Sequence, residues 1–235
     1  IEDYLKGVVP SEMPIGKNEK NLEALKAFAI CARTYSLMKL NMNQTEFDLF
    51  VDVRDQVYGG SDKEMSLSNR AVDETRGTVL FFDDEPAVTF YHSTCGGETE
   101  NSNNVFTQKE THYLSGIIDG DPSYCSISPR YKWKETYERK LFLERFINAG
   151  IITGNKCELE NVEVKSRFKS GRVNELEITV VEDENIQKKY SVFGNNIRTI
   201  IRTSDNKSIL FSTNFEIMLD GNQIIIHGKG YGHGV

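Results

Sequence analysis

Long apolar runs are missing from this chain: no stretch approaches the ~20 consecutive apolar residues that a helix needs to span a bilayer. Positive charge is also short. Against 35 Asp and Glu stand 28 Lys and Arg, for a net charge of −7, so the basic footprint that nucleic-acid binding requires is absent and DNA and RNA are excluded as partners. Cysteine is sparse, with Cys31, Cys95, Cys125 and Cys157 spaced too loosely for the dense disulfide framework of a small secreted domain. The first residue is Ile1, with no initiator Met, charged n-region or apolar h-region, so any export signal or membrane anchor is expected to have been removed or never to have existed. That leaves the compartment open. What remains is a chain of 235 residues, 38% hydrophobic and 27% charged, long enough to bury a core without staples, as one large domain or two small ones.

The pattern along the chain is mixed. From Asn21 the segment NLEALKAFAICARTYSLMKL carries apolar residues around nearly its whole circumference, which predicts a helix buried in the core. Asn18 or Asn21 suits its cap, with Glu19 and Glu23 in its first turn. A second helix is predicted over Ser66 to Arg76, with Gly77 just past its end. TVLFF and AVTFY read as a hairpin across DDEP, followed by the polar loop HSTCGGETENSNN. Beyond Tyr131 come an alternating YKWKETY, a helix at KLFLERFINAG, strands around VEVKSRF and VNELEITV, a short helix at NNIRTII, and a hairpin in FEIMLDGNQIII turning at Asp220 and Gly221. There are no repeats and no low-complexity linker. These elements predict an α+β fold of mixed helices and antiparallel sheet around a buried central helix. A division near residue 130 separates 1–130, with the glutamate loop, buried helix and His/Cys loop, from a mixed 131–235 that ends in a Gly-rich segment.

Four features bear chemistry. In KGVVPSEMPIG, Glu12 sits among valines, a methionine and two prolines that argue against helix on either side, so it is expected on a loop leading into the buried helix. Burial would raise its pKa and suit it to act as a general acid; a solvated loop glutamate is the plain alternative. His92, Cys95, His112 and Cys125 offer two nitrogens and two sulfurs in the order H-x2-C-x16-H-x12-C, a donor set that suits zinc, though the spacing matches no standard finger. Buried free thiols, or a Cys95 to Cys125 disulfide in an exported protein, explain the same cysteines. Arg33 is a lone charge on the apolar helix and calls for a carboxylate, Glu12 among the candidates, or a polar ligand. The terminal GKGYGHGV is neither a dinucleotide fingerprint nor a P-loop; its glycines allow either close backbone approach around His233 or a flexible end.

Six segments taken together, VVPSEMP, LEALKAFAICARTY, DQVYGG, AVDETRGTVLFF, FYHSTCGGETE and GKGYGHGV, resemble in residues and order the stage II sporulation protein D family, which includes amidase-enhancer proteins. The resemblance implies a peptidoglycan lytic transglycosylase that cuts the β-1,4 bond between N-acetylmuramic acid and N-acetylglucosamine in strands stripped of stem peptides by a partner amidase. It implies work during engulfment in a spore former, outside the cytoplasm, behind an N-terminal membrane anchor. The family's catalytic glutamate carries over onto Glu12. Motif position alone assigns Arg33, Gln56, Tyr58 and Ser93 to holding sugars. Cys95 stands where many members have another residue, which favours zinc at His92, Cys95, His112 and Cys125, with a structural more than a catalytic role. The family ending runs on beyond GHGV into a segment not present here. Two rival readings are a glycan-binding activator of a cell-wall amidase that does not itself cleave, and a zinc hydrolase.

Overall fold

The computed structural model describes residues 1–40, 46–106, 111–153, 157–182 and 186–235. It is an α+β protein made of two compact units, Ile1–Phe90 and Tyr91–Val235. The boundary is thus not near residue 130. The His/Cys loop belongs with the second unit because its backbone is bonded to the chain's last segment: Thr94 and Tyr231 exchange N–H···O bonds of 3.0 and 2.7 Å, and Glu100 N–H donates to Gly234 O at 2.8 Å.

The first unit packs three helices, α1 (Glu2–Glu12), α2 (Leu22–Leu40) and α3 (Ser66–Glu74). Its core joins Leu5 and Val9 of α1 to Leu25, Ala29 and Ala32 of α2 and Leu67, Ala71 and Val72 of α3. Helix α1 corrects the expectation of a loop at Glu12, for the helix runs through Pro10 and ends on Glu12. An interior proline costs ~3 kcal/mol, whereas Leu5, Val8 and Val9 are all fully buried and such side chains contribute about 1.5–3 kcal/mol each. Packing wins, and the cost is the one ladder bond that the missing N–H of Pro10 leaves unmade. Asn18 caps a 3₁₀ turn at Glu19–Asn21 that leads into α2, its side chain accepting from Lys20 N–H at 3.0 Å. The hairpin after α3 shrinks to β1 (Phe81–Phe82) and β2 (Glu85–Pro86). Asp83 and Asp84 turn with φ of 51° and 62°, and the flanks are tied to α2 instead, Leu80 N–H to Thr34 Oγ1 and Thr89 Oγ1–H to Cys31 O.

The second unit holds two three-stranded antiparallel sheets. One is ordered β3 (Lys132–Glu138), β8 (Gln223–Lys229), β7 (Phe215–Asp220); the other is β4 (Cys157–Arg167), β5 (Val173–Glu182), β6 (Ile186–Phe193). Helices α4 (Arg139–Asn148) and α5 (Asn196–Ile201) join their core, in which Phe142, Phe146, Leu176, Ile178, Ile197, Ile201, Ile224 and Ile226 are all buried. Strand β6 carries no strand signal in its sequence because Gln187, Lys188 and Lys189 are exposed edge residues with no apolar alternation; the lysines pair with Glu182 and Glu177 of β5. The last hairpin turns at Gly221 and Asn222, one residue later than expected, since Asp220 already pairs with Gln223.

Gly228 of β8 faces Trp133 of β3, and a Cβ built there overlaps the indole ring. Gly228→Ala is therefore expected to destabilise the protein by about 1–3 kcal/mol through overpacking. Urea unfolding followed by the emission of Trp133, the sole tryptophan, reads this out; an unchanged midpoint would show that the indole has room to move.

Candidate functional site

The carboxyl of Glu12 stands at the C-terminal end of α1, half-buried, and burial raises its pKa above the ordinary 4.5. The negative end of the helix dipole acts in the same direction. One opposing interaction is present, a backbone N–H from Val57 that donates to Oε1 at 2.6 Å. The loop carrying Val57 is fixed from α2. Gln56 is fully buried, its amide N–H donating to Ala32 O at 3.1 Å and its carbonyl accepting from Ser36 Oγ at 2.8 Å. Asp55 next to it accepts from Tyr35 at 2.9 Å and pairs with Lys39 at 3.0 Å. Gln56 thus has no free end for a sugar; it sets the position of the amide that touches Glu12.

Tyr58 remains accessible and stacks on Tyr4 with ring centroids 5.3 Å apart. Tyr4 belongs to none of the sequence motifs, although it lies two helical turns before Glu12 on α1, an i, i+8 spacing that shares one face. Its buried hydroxyl has no hydrogen-bond partner among the described residues, and its pKa rises to about 12 through burial first and then the charges of Asp55 and Glu12.

Arg33 finds its carboxylate in Glu2, not Glu12. Its Nε and Nη2 donate to the two Glu2 oxygens at 3.0 and 2.8 Å, and the rest of the guanidinium meets Val72 O, Thr78 O and Thr75 Oγ1. All five N–H donors are used by the fold and the residue is 2% exposed, so no donor is left for a sugar.

In the second unit Ser93 is exposed, its hydroxyl 3.2 Å from that of Thr94. Cys95 and Cys125 are brought together as free thiols with sulfurs 3.3 Å apart, and the third member of their group is Asp119 rather than a histidine. One ligand atom from each of the three lies within 4.8 Å of the others. Burial first, then the neighbouring thiol and carboxylate, push the Cys95 thiol up to about 12, whereas the Cys125 thiol and backbone N–H hold Asp119 low. His92 and His112 stand outside this group. The Nδ1 of His92 is bonded to Val235 O at 2.8 Å, its ring 5.4 Å from that of His233, while His112 is exposed on a 3₁₀ turn. A ligand set restricted to histidine and cysteine passes over the carboxylate six residues before Cys125.

The terminal glycine segment is packed, not loose. A Cβ on Gly230 would come within 2.8 Å of Thr94 O, and one on Gly96 within 3.1 Å of Gly230 N, so the two loops meet backbone to backbone. His233 Nδ1 accepts from Val235 N–H at 3.1 Å, which leaves Nε2–H to donate to Tyr91 O at 2.9 Å. Burial lowers its pKa to about 3, and the imidazole is neutral at physiological pH.

Comparison with known proteins agrees with this layout. Residues 1–82 match the family described as "Stage II sporulation protein", and residues 126–235 match "Domain of unknown function (DUF8618)". The chain is thus similar to the stage II sporulation protein D family. It is 27% identical over its whole length to the stage II sporulation protein D of Bacillus amyloliquefaciens, covering 65% of that protein. It is 28% identical over 98% of its length to the "Amidase enhancer" of Bacillus subtilis, covering 36%, and 31% identical over its whole length to an uncharacterized protein of Brachyspira hyodysenteriae, covering 58%. The chain thus spans less than two thirds of each of these relatives. Among the described residues no helix is long and apolar enough to cross a membrane.

Proposed function

We propose that this chain is a lytic transglycosylase of the stage II sporulation protein D type, acting on peptidoglycan glycan strands already stripped of stem peptides, with Glu12 as both acid and base. The observation that carries this reading is the half-buried Glu12 carboxyl, whose pKa is raised by desolvation and which is held by the single Val57 N–H. A carboxyl in that state keeps its proton to higher pH than a solvated glutamate and can give it to a leaving oxygen. The proton passes from Glu12 to the glycosidic oxygen as the C1–O bond of the N-acetylmuramic acid breaks and positive charge develops on its ring. The C6 hydroxyl oxygen of the same sugar then bonds to C1, and its proton returns to the Glu12 carboxylate. The product is a 1,6-anhydro end, and no second carboxylate is needed.

In this reading the full-length protein works outside the cytoplasm during engulfment, tethered by an N-terminal anchor and paired with a cell-wall amidase that removes the stem peptides. A relative carrying the name "Amidase enhancer" supports the second reading, in which the chain holds glycan strands and stimulates an amidase without cutting. Digesting peptide-free glycan strands and reading the products by mass spectrometry separates the two: 1,6-anhydro-muramyl ends are expected, and intact strands that remain bound would favour the activator.

Zinc is part of the proposal. Two thiol sulfurs and a carboxylate oxygen in one small group fit its donor preferences. Cys95, Cys125 and Asp119 would hold it. The ion would deprotonate the thiols on binding and brace the loop against the glycine segment. Protein purified without chelator is expected to contain one zinc per chain and to lose thermal stability on chelation, with the Glu12 activity at low temperature retained. A metal content near zero would exclude the site.

A further inference from the structure

Chains that hold carbohydrate need amide groups for its hydroxyls and acetamides and a flat apolar surface for its ring faces, and one cavity of the second unit supplies both. It measures about 490 Å³, within the ~300–1,000 Å³ of small-molecule sites. Its lining comes from four separate places: the 3₁₀ turn around Asn103 and Asn104, the β4–β5 turn at Phe168, Asn174 at the start of β5, and the passage from β6 into α5 at Phe193, Asn195 and Asn196. Phe106 closes one side and packs edge-on against His233, ring centroids 5.1 Å apart. Five asparagines and three phenylalanines line it, and no charged side chain does.

Two of the amides are committed to the fold. Asn104 donates to Glu100 at 2.9 Å and Asn174 to Ser166 at 3.0 Å, which fixes their side chains. Asn195 accepts from Arg198 at 3.2 Å. The side chains of Asn103 and Asn196, both exposed, make no hydrogen bond among the described residues. Phe193 leaves 54% of its surface in water, at the end of an edge strand, where nothing in the packing of the unit calls for an aromatic ring. A primary amide presents one acceptor and two donors side by side, the complement of an acetamido group. The negative face of a phenyl ring meets the weakly positive C–H groups of a pyranose. The missing charges exclude an anionic or cationic ligand as the preferred occupant.

We propose that this cavity is a second glycan subsite that takes a neutral N-acetylated sugar, N-acetylglucosamine in preference to the carboxylate-bearing N-acetylmuramic acid. The proposal rests on the glycan reading above for its ligand, but not on cleavage. The test uses chitotetraose, a neutral oligomer of N-acetylglucosamine, titrated calorimetrically into the whole chain carrying Glu12→Gln to suppress cleavage. Saturable binding is expected, weakened about tenfold by Phe193→Ala and by Asn196→Ala, both exposed positions that leave unfolding midpoints unchanged, and unaffected by Tyr58→Ala in the first unit. Failure of wild type to release anhydro ends, with this pattern intact, would overturn the cleavage reading and leave the subsite standing. Binding that ignores Phe193→Ala and Asn196→Ala, or no binding at millimolar sugar, would overturn the subsite whatever the activity.

Discussion

Glu12→Gln is expected to lower turnover of peptide-free glycan strands by roughly 10²–10⁴-fold, the usual contribution of a positioned acid and base. Glutamine keeps an oxygen for the Val57 N–H, so the loop should hold its place and the loss should fall on turnover, not on strand binding. The pH dependence makes the assignment sharper. Because desolvation raises its pKa, Glu12 binds its proton more tightly in the folded chain than in the unfolded one. The wild-type rate should therefore fall as pH rises through a value above 4.5, as the acid is lost. Stability follows the same sign: the contribution is complete below the unfolded pKa and is lost as pH rises through the folded one. Glu12→Gln removes that slope and should be as stable as wild type, or more so, at neutral pH. A rate profile flat across this range, or a variant with wild-type turnover, would rule out Glu12 as the acid.

Arg33→Met is expected to cost about 3–5 kcal/mol at neutral pH, the typical penalty for removing one partner of a buried pair. The side chain of Arg33 is 2% exposed and that of Glu2 17%, so water cannot replace the lost contact fully. Hydrogen bonding to Arg33 chiefly holds the Glu2 carboxyl below its ordinary value, so this pair stabilises the fold above pH ~4.5 and loses that contribution as the carboxylate protonates at lower pH. The deficit of the variant should accordingly shrink in acid, and Glu2→Gln combined with Arg33→Met should recover part of it. Urea unfolding at pH 7 and pH 4 measures both. Equal losses at the two pH values would mean that packing, not charge, is what Arg33 supplies.

Much of the fold is legible in the order of residues alone. The apolar circumference of Leu22 to Leu40, the alternation in Lys132 to Glu138 and the turn residues around Gly171 and Gly221 locate most elements, because helix and strand periods are local properties of the chain. The apolar surroundings of Glu12 are likewise foreseeable from its flank, whereas the approach of Cys95 to Cys125 is only one of the arrangements that the sequence leaves open. That α1 runs through Pro10 is not foreseeable, because the burial of Leu5, Val8 and Val9 that outweighs the proline depends on α2 and α3. Nor does the sequence choose the partner of Arg33, since Glu2 and Glu12 sit on the same helix and only its docking onto α2 decides between them. Gln56 exchanges a sugar-binding role for holding Val57, and His92 gives its ring nitrogen to the glycine segment while Asp119 joins the thiols. Residue types and spacings determine which groups are available and which local shapes they favour. Tertiary packing alone decides which of those groups are used up by the fold and which, like the Glu12 carboxyl, are left half out of water.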